Sequence, residues 1–465
     1  MKLNPDIFRA YDIRGIYPKD LTAKGVLAIT RAFLVLYPGL KKVVVSHDTR
    51  QSSPRLAKTI ARTLKEAGRE VIFLGIAPDP LFYFAILNLG FDGGIMVSGS
   101  HNPPEYNGLM LHVRNKGDLI GRDLEKIRQI ALQDRKPIKT GEGKITLLDP
   151  TSDYIDYVTQ RIKLKKPLKI VVDTGNGAMG YLPAKVFQRL GCQVFTLYGE
   201  FDGSFPHHLP DPYERKNRLA AKREVLKKKF DLGFVFDGDG DRVAAIDNQG
   251  RSVGGDFCFL MLARQALKKK KGSIVHDMRV SQAFLDEMKK RKVKTYFCVS
   301  HHTAIIEKIK KVKAIFGGEV TLHFLFPQDY YLCDEALFAS LKLAEIASSQ
   351  KDFAAYIDTL PRCQSSPEVF IPCPDREKFK IIKKLQDYLK KNNYEFIDID
   401  GARISFPHGW ALARAANTTP VIKCRFEGDT QEHLVEIEKQ ALEIFEKVGI
   451  PVTKKTFKEL GLKNL

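Results

Sequence analysis

Lys42-Val43-Val44-Val45-Ser46, then an amphipathic stretch from Ser53 to Ala67 stopped by Gly68, then Val71-Ile72-Phe73-Leu74-Gly75, reads as strand, helix, strand. An unbroken run of β-branched residues fits a strand covered on both faces, and such strands belong to largely parallel sheets. The same order returns at Lys169-Ile170-Val171-Val172-Asp173 followed by Ala184 to Leu190. It returns again at Ser273-Ile274-Val275-His276 and Thr295-Tyr296-Phe297-Cys298-Val299. Three α/β units therefore follow one another along the chain.

The last hundred residues carry a different pattern. Leu385 to Lys391 is helical, whereas Glu395-Phe396-Ile397 and Ala402-Arg403-Ile404-Ser405-Phe406 alternate as half-buried strands do. Thr430 to Val448 forms a long amphipathic helix, with Gly449 as its stop. That is an α+β unit on a small antiparallel sheet. At roughly 100–200 residues per domain, a chain of 465 residues holds three or four. Turn formers cluster near Asp149-Pro150, Gln249-Gly250 and Ser365-Pro367, so the expected domains are 1–148, 149–250, 251–364 and 365–465.

Composition narrows the function. A 44% hydrophobic and 28% charged chain is ordinary globular material. No run of about 18 apolar residues offers a spanning helix, and the start, Met1 to Asp6, lacks an apolar signal core, so a cytoplasmic protein off the membrane is expected. The seven cysteines include no Cys-x-x-Cys pair, which argues against a disulfide framework or a thiolate zinc site. A net charge of +20 favours anionic partners. The lysine runs 227–229 and 268–271 are not interleaved with aromatic residues and read as solvated faces, so charge alone leaves nucleic acid, anionic lipid and phosphorylated small molecules open as partners. No recognition motif accompanies the charge, so nucleic acid is not expected.

The sharpest chemical feature is Asp237-Gly238-Asp239-Gly240-Asp241-Arg242, directly after the apolar Gly233-Phe234-Val235-Phe236. Three carboxylates at alternate positions on a glycine-permitted turn can converge on one hard cation such as Mg²⁺. An EF-hand is excluded, because the twelfth position counted from Asp237 is Asn248 rather than Glu. A second feature runs from Gly94 to Gly108 and contains Gly99-Ser100-His101-Asn102-Pro103. A hydroxyl on a turn after a strand suits phosphate, since backbone N–H groups can cradle the anion. A serine-hydrolase triad is disfavoured, because an adjacent histidine points elsewhere in most local geometries.

Taken in order, these motifs resemble the α-D-phosphohexomutase superfamily, most closely its phosphomannomutase/phosphoglucomutase branch. Phe8 to Gly15 resembles the N-terminal active-site segment, Gly99 to Pro103 the phosphoserine loop and Asp237 to Arg242 the metal loop. Gly317 to His323 is similar to the sugar-selecting loop, and Arg414 to Pro420 to the phosphate-anchoring loop. The resemblance implies four domains around a central cleft, three of related α/β topology with mixed sheets and a C-terminal α+β domain. It implies that Ser100 carries a phosphoryl group between the 1- and 6-positions of a hexose phosphate, mannose or glucose, through a hexose 1,6-bisphosphate. One Mg²⁺ is expected on Asp237, Asp239, Asp241 and the seryl phosphate of Ser100. Arg14 and Arg242 would steady the reacting end. Glu319, Thr321 and His323 would select the sugar, while Arg279, Arg414, Asn417, Thr418 and Tyr11 would complete the substrate contacts. A site complete in one chain implies a monomer or weak dimer.

The chain departs from that pattern at several positions. Tyr106-Asn107-Gly108-Leu109-Met110 ends in Met where the branch usually has a proton-transferring Lys. Such help is commonly worth about 10²–10⁴ in rate. Leu322 stands where Gly is usual, Ala416 where a phosphate-binding Ser is usual, and Met278-Arg279 where Val-Lys is frequent. His302 matches a family histidine and could take over proton work, its ordinary pKa lying near 6.5. An impaired phosphosugar-binding relative and a mutase for another phosphosugar stand as alternatives.

Overall fold

The computed structural model describes residues 3–9, 12–133, 135–137, 139, 141–416 and 419–453. The chain forms two compact units. The first comprises the residues up to Cys258 together with Thr321–Leu325 and Asp329–Asp358; the second comprises Phe259–Val320, Phe326–Gln328 and the residues from Thr359 onward.

The first unit contains two mixed sheets. In one, the strands lie in the order Ile13–Ile16, Tyr106–Val113, Gly93–Val97, Lys42–His47, Glu70–Ile76 and Lys144–Leu147. Tyr106–Val113 runs antiparallel to both of its path neighbours, and the remaining pairs are parallel. Val43, Val44 and Val45 are fully buried, as a strand covered on two faces requires. The helix Ser53–Glu66, with Pro54 in its first turn, lays Leu56, Ala57, Ile60, Ala61 and Leu64 onto that sheet. Burying each of the larger side chains stabilises the unit by about 1.5–3 kcal/mol. In the other sheet Lys169–Asp173 pairs in parallel with Gln193–Leu197 and Leu232–Phe236, and Val243–Asp247 returns antiparallel.

In the second unit Ile274–His276 pairs in parallel with Thr295–Phe297 and Phe316–Glu319. A last sheet is wholly antiparallel, built on Ala402–Phe406, Gly409–Ala415 and Val421–Gly428. Two helices, Asp375–Lys391 and Gln431–Val448, cover it around Leu385, Leu389, Ile404, Phe426, Ile437 and Phe445. Thr430 caps the second of these by accepting from His433 N at 3.2 Å, and Gly449 closes it at φ 86°.

Two elements differ from the sequence expectation. The helix expected over Leu385 to Lys391 begins at Asp375, because Lys378, Ile382, Leu385 and Leu389 share one buried face whose lysine-rich flanks dilute the apolar pattern. Gln249-Gly250 closes a hairpin, and the return strand Ser252–Val253 stays in the second sheet. Among the described residues, no helix is long and apolar enough to cross a membrane.

Candidate active site

Ser100 lies just past the carboxyl end of the strand Gly93–Val97, and the acidic loop starts at the carboxyl end of Leu232–Phe236. Open α/β sheets bind ligands at such ends. Ser100 has φ 49°, a left-handed conformation that is rare outside glycine, and it is 6% exposed. The turn swings His101 back until its Nδ1 lies 3.2 Å from Ser100 Oγ. The adjacent histidine thus does reach the serine, contrary to the sequence expectation, because positive φ reverses the chain between them. Burial, followed by the charges of Arg242 and Arg14, lowers the His101 pKa well below its ordinary value, so the ring is neutral.

The loop is gripped from beneath by a residue whose role the sequence did not announce. Arg50 is fully buried and donates to the carbonyl oxygens of Ser100 at 2.8 Å, Asn102 at 2.7 Å and Tyr106 at 3.1 Å, and to that of Pro103. Asp48 anchors it at 2.9 Å and accepts from Gly99 N at 2.9 Å. The only signal was His47-Asp48-Thr49-Arg50 after a strand. From the other side Arg14 donates to Gly99 O and to Asn102 Oδ1 at 3.1 Å, with Asp12 at 2.8 Å.

The acidic loop meets the serine loop directly. A Cβ on Gly238 would lie 2.6 Å from the Ser100 carbonyl oxygen, so only glycine permits the approach. Ser98 Oγ donates to Asp239 Oδ2 at 2.7 Å. Asp237 Oδ1 accepts from the N–H groups of Gly240, Asp241 and Arg242, which fixes the turn, while its Oδ2 is buried without a hydrogen-bond partner among the described residues. Oδ1 of Asp239 and Oδ1 of Asp241 are likewise unpartnered.

A further carboxylate joins them. Asp79, at the start of the helix Asp79–Leu87, donates through its backbone N–H to Asp239 O at 2.8 Å, and its own Oδ1 is unpartnered among the described residues. Asp79, Asp239 and Asp241 bring ligand oxygens within 4.8 Å of one another, a group that could hold a metal ion. Burial and the charges of Asp239 and Asp241 push Asp79 well above the ordinary carboxylate range. Burial and Asp241 lift Asp239 to about 6. Asp241 moves the opposite way: burial opposes its charge, but the hydrogen bond with Asp237 and the neighbouring His323 and Arg242 hold it down. Mutual repulsion with unused oxygens is what a hard divalent cation relieves, so the residues present fit such an ion.

His323 belongs to this group. Its Nε2 accepts from Arg242 Nε at 2.9 Å, and its Nδ1 lies 3.2 Å from Asp334 Oδ2. Burial works against its charge, yet Asp241 and Asp334 outweigh that and raise its pKa. Thr321 sits two positions earlier, in the same unit. Leu322 between them has φ 80°, confirming that this position demands a left-handed backbone; such strain costs of order 1–3 kcal/mol. Met110, half-buried on Tyr106–Val113, places its Sδ 3.3 Å from the Tyr83 hydroxyl and offers no proton.

The other expected residues lie in the second unit. Arg279 pairs with Asp277 at 2.5 Å and Glu319 at 2.8 Å, with Glu368 at 3.6 Å. Arg414 pairs with Asp400 Oδ2 at 3.1 Å, and its buried Nε has no hydrogen-bond partner among the described residues, which suits an anion. His302 opens the helix His302–Val312, its ring centre 4.3 Å from that of His301 with the planes tilted by 32°. Ala416 is buried, its N–H donating to Val421 O at 3.0 Å. Tyr11, Asn417 and Thr418 lie outside the described residues.

Comparison with known proteins matches four successive domains described as phosphoglucomutase/phosphomannomutase: α/β/α domain I over 5–137, domain II over 152–250, domain III over 254–363 and the C-terminal domain over 368–444. A phosphomannomutase/phosphoglucomutase of Pseudomonas aeruginosa is 34% identical over 440 residues, covering 94% of each chain. A phosphoglucomutase of Neisseria gonorrhoeae is 32% identical over 447 residues, 95% of this chain and 97% of its own. The solved structure of a phosphoglucomutase/phosphomannomutase family protein from Burkholderia thailandensis superposes with a TM-score of 0.90 at 32% identity, over 97% of this chain and 99% of the other. With the domain order, near-full-length coverage and fold in agreement, this chain belongs to the phosphoglucomutase/phosphomannomutase family.

Proposed function

We propose that the protein is an isomerase that interconverts hexose 1-phosphate and hexose 6-phosphate, with mannose or glucose as the sugar, through a phosphoserine at Ser100. The observation that carries this reading is the seryl oxygen held on a left-handed turn whose loop is hydrogen-bonded to the acidic loop. A sugar hydroxyl oxygen attacks the phosphorus on Ser100 Oγ, the P–Oγ bond breaks, and the hydroxyl proton passes by way of His302 to the freed seryl oxygen. The resulting hexose 1,6-bisphosphate reorients, Ser100 Oγ attacks its other phosphorus, and the sugar oxygen leaves with a proton.

Positioning and charge neutralisation do most of the catalytic work in such a transfer. Arg14 and Arg242 steady the phosphoryl oxygens. Asp237, Asp239 and Asp241, with the seryl phosphate, would hold one Mg²⁺, which when bound neutralises charge on the phosphoryl group. Glu319, Thr321 and His323 accept or donate to sugar hydroxyls. Arg414, with Asn417, Thr418 and Tyr11, takes the non-reacting phosphate, and Arg279 orients Glu319. His302 carries the proton that Met110 cannot. The matched spans support the division at 1–148, 149–250, 251–364 and 365–465. Action as a cytoplasmic monomer or weak dimer is part of the same reading.

No finding favours an impaired binding relative, since nucleophile, acidic loop and Glu319 are all present. Purified protein with Mg²⁺ and a trace of hexose 1,6-bisphosphate should convert glucose 1-phosphate and mannose 1-phosphate in a coupled assay. Ser100→Ala should abolish turnover and the phosphate seen by intact-mass spectrometry. Full turnover in that variant rejects the proposal. Conversion of glucosamine 1-phosphate alone would shift the substrate to an aminosugar.

A further inference from the structure

A second group of metal-ligating side chains lies in the C-terminal sheet of the second unit. His408 occupies the turn between Ala402–Phe406 and Gly409–Ala415, Asp429 follows Val421–Gly428, and His433 sits in the first turn of the helix Gln431–Val448. Three separate elements thus deliver one side chain each to one spot. The backbone locks them there: Asp429 N donates to His408 O at 3.0 Å, and the Thr430 cap holds His433.

The side chains converge on the Asp429 carboxylate. His408 Nδ1 lies 3.2 Å from Asp429 Oδ2, and His433 Nδ1 lies 2.5 Å from Oδ1. The rings stack at 3.8 Å with their planes 8° apart. One ligand atom from each residue falls within 4.8 Å of the others. Each Nδ1 is within hydrogen-bonding distance of a carboxylate oxygen, so two nitrogens and two oxygens face one spot.

We propose that His408, Asp429 and His433 form a surface site for a borderline divalent transition ion of the zinc class. Two imidazole nitrogens and one carboxylate oxygen suit Zn²⁺, Co²⁺, Ni²⁺ or Cu²⁺, whereas Mg²⁺ prefers an all-oxygen octahedron. Exposure of His408 and Asp429 leaves room for water to complete the shell. The ion replaces the contacts between Nδ1 and the carboxylate, and rotation about χ opens the ring stack so that it lies in both ring planes. Because the ligands come from a hairpin turn, a strand end and a helix start, binding clamps three elements together and favours the folded state.

The test is a Zn²⁺ titration by calorimetry on metal-stripped protein held in saturating Mg²⁺, so that the carboxylate group of the first unit is occupied. Co²⁺ absorption serves as the second readout. One equivalent of Zn²⁺ should bind, raise Tm and, with Co²⁺, give visible bands of a nitrogen–oxygen site. His408→Ala and His433→Ala should each weaken binding roughly tenfold or more, with Mg²⁺-supported turnover and circular dichroism unchanged. His408→Asn and His433→Gln serve the same purpose if either alanine variant folds poorly. No binding by the wild type, or unaltered binding in the histidine variants, overturns the proposal.

Discussion

The hydroxyl of Ser98 donates to Asp239 at 2.7 Å while accepting the backbone N–H of Ser100 at 2.8 Å. One side chain therefore joins the loop of the proposed nucleophile to the proposed metal loop. Ser98→Ala leaves a buried Asp239 oxygen and a Ser100 N–H without their partner. Such losses cost about 1–3 kcal/mol. The expected result is a urea midpoint lowered accordingly and a kcat reduced about tenfold with KM little changed. Wild-type kcat in this variant would show that the two loops are aligned without the bridge.

Arg50 supports the same loop from below. Arg50→Lys keeps the charge but loses the planar fork that reaches several carbonyls at once. Leaving Asp48 and the loop carbonyls incompletely paired should destabilise the protein by about 3 kcal/mol. Hydrogen exchange at residues 99–106 should rise sharply. Unchanged protection there would mean that the loop holds its shape through Arg14 and Ser98 alone.

Asp79 makes a prediction whose sign depends on the ion. Without a divalent cation its buried, unpartnered oxygen repels Asp239 and Asp241, so Asp79→Asn should raise the apo melting temperature. With Mn²⁺ added, the variant should gain less stability than the wild type, because a negative ligand is gone. Equal metal-induced shifts in the two proteins would place Asp79 outside the ion's shell.

Glu335 supplies the pH dependence. Its Oε1 accepts from Phe338 N at 2.9 Å and from the Tyr154 hydroxyl at 3.0 Å, while Oε2 is buried without a hydrogen bond among the described residues. Burial, only partly offset by those donors, lifts its pKa from 4.5 to about 7. Between those values the folded state holds a proton that the unfolded state has released, so stability falls as pH rises. Glu335→Gln should remove that fall, a difference of about 2–3 kcal/mol between pH 4 and pH 8. Urea unfolding of both proteins at the two pH values measures it, and parallel pH curves would contradict the assignment.

Much of the architecture was legible locally. Val43 to Val45 and Ala402 to Phe406 declare strands, because β-branched runs and alternation suit pleated surfaces. Thr430 and Gly449 mark the ends of the last helix, because a side-chain acceptor and a left-handed residue satisfy its terminal groups. The acidic loop was readable for the same reason, since its carboxylates and glycines lie within six consecutive positions. Leu322 could be flagged from resemblance alone, and its positive φ bears that out.

Other parts of the site had no local signature. Asp79 looks like a helix-start aspartate, Arg50 like one basic residue among many, and His408 and His433 like ordinary surface histidines. Their roles arise from contacts across the chain: Ser98 and Asp239 are 141 positions apart, and Arg50 and Ser100 are 50 apart. Local sequence dictates backbone conformation because steric and hydrogen-bonding preferences act over a few residues. Which charges share a buried space is decided only when sheets and helices pack, since burial and Coulomb repulsion act through space whatever the order along the chain.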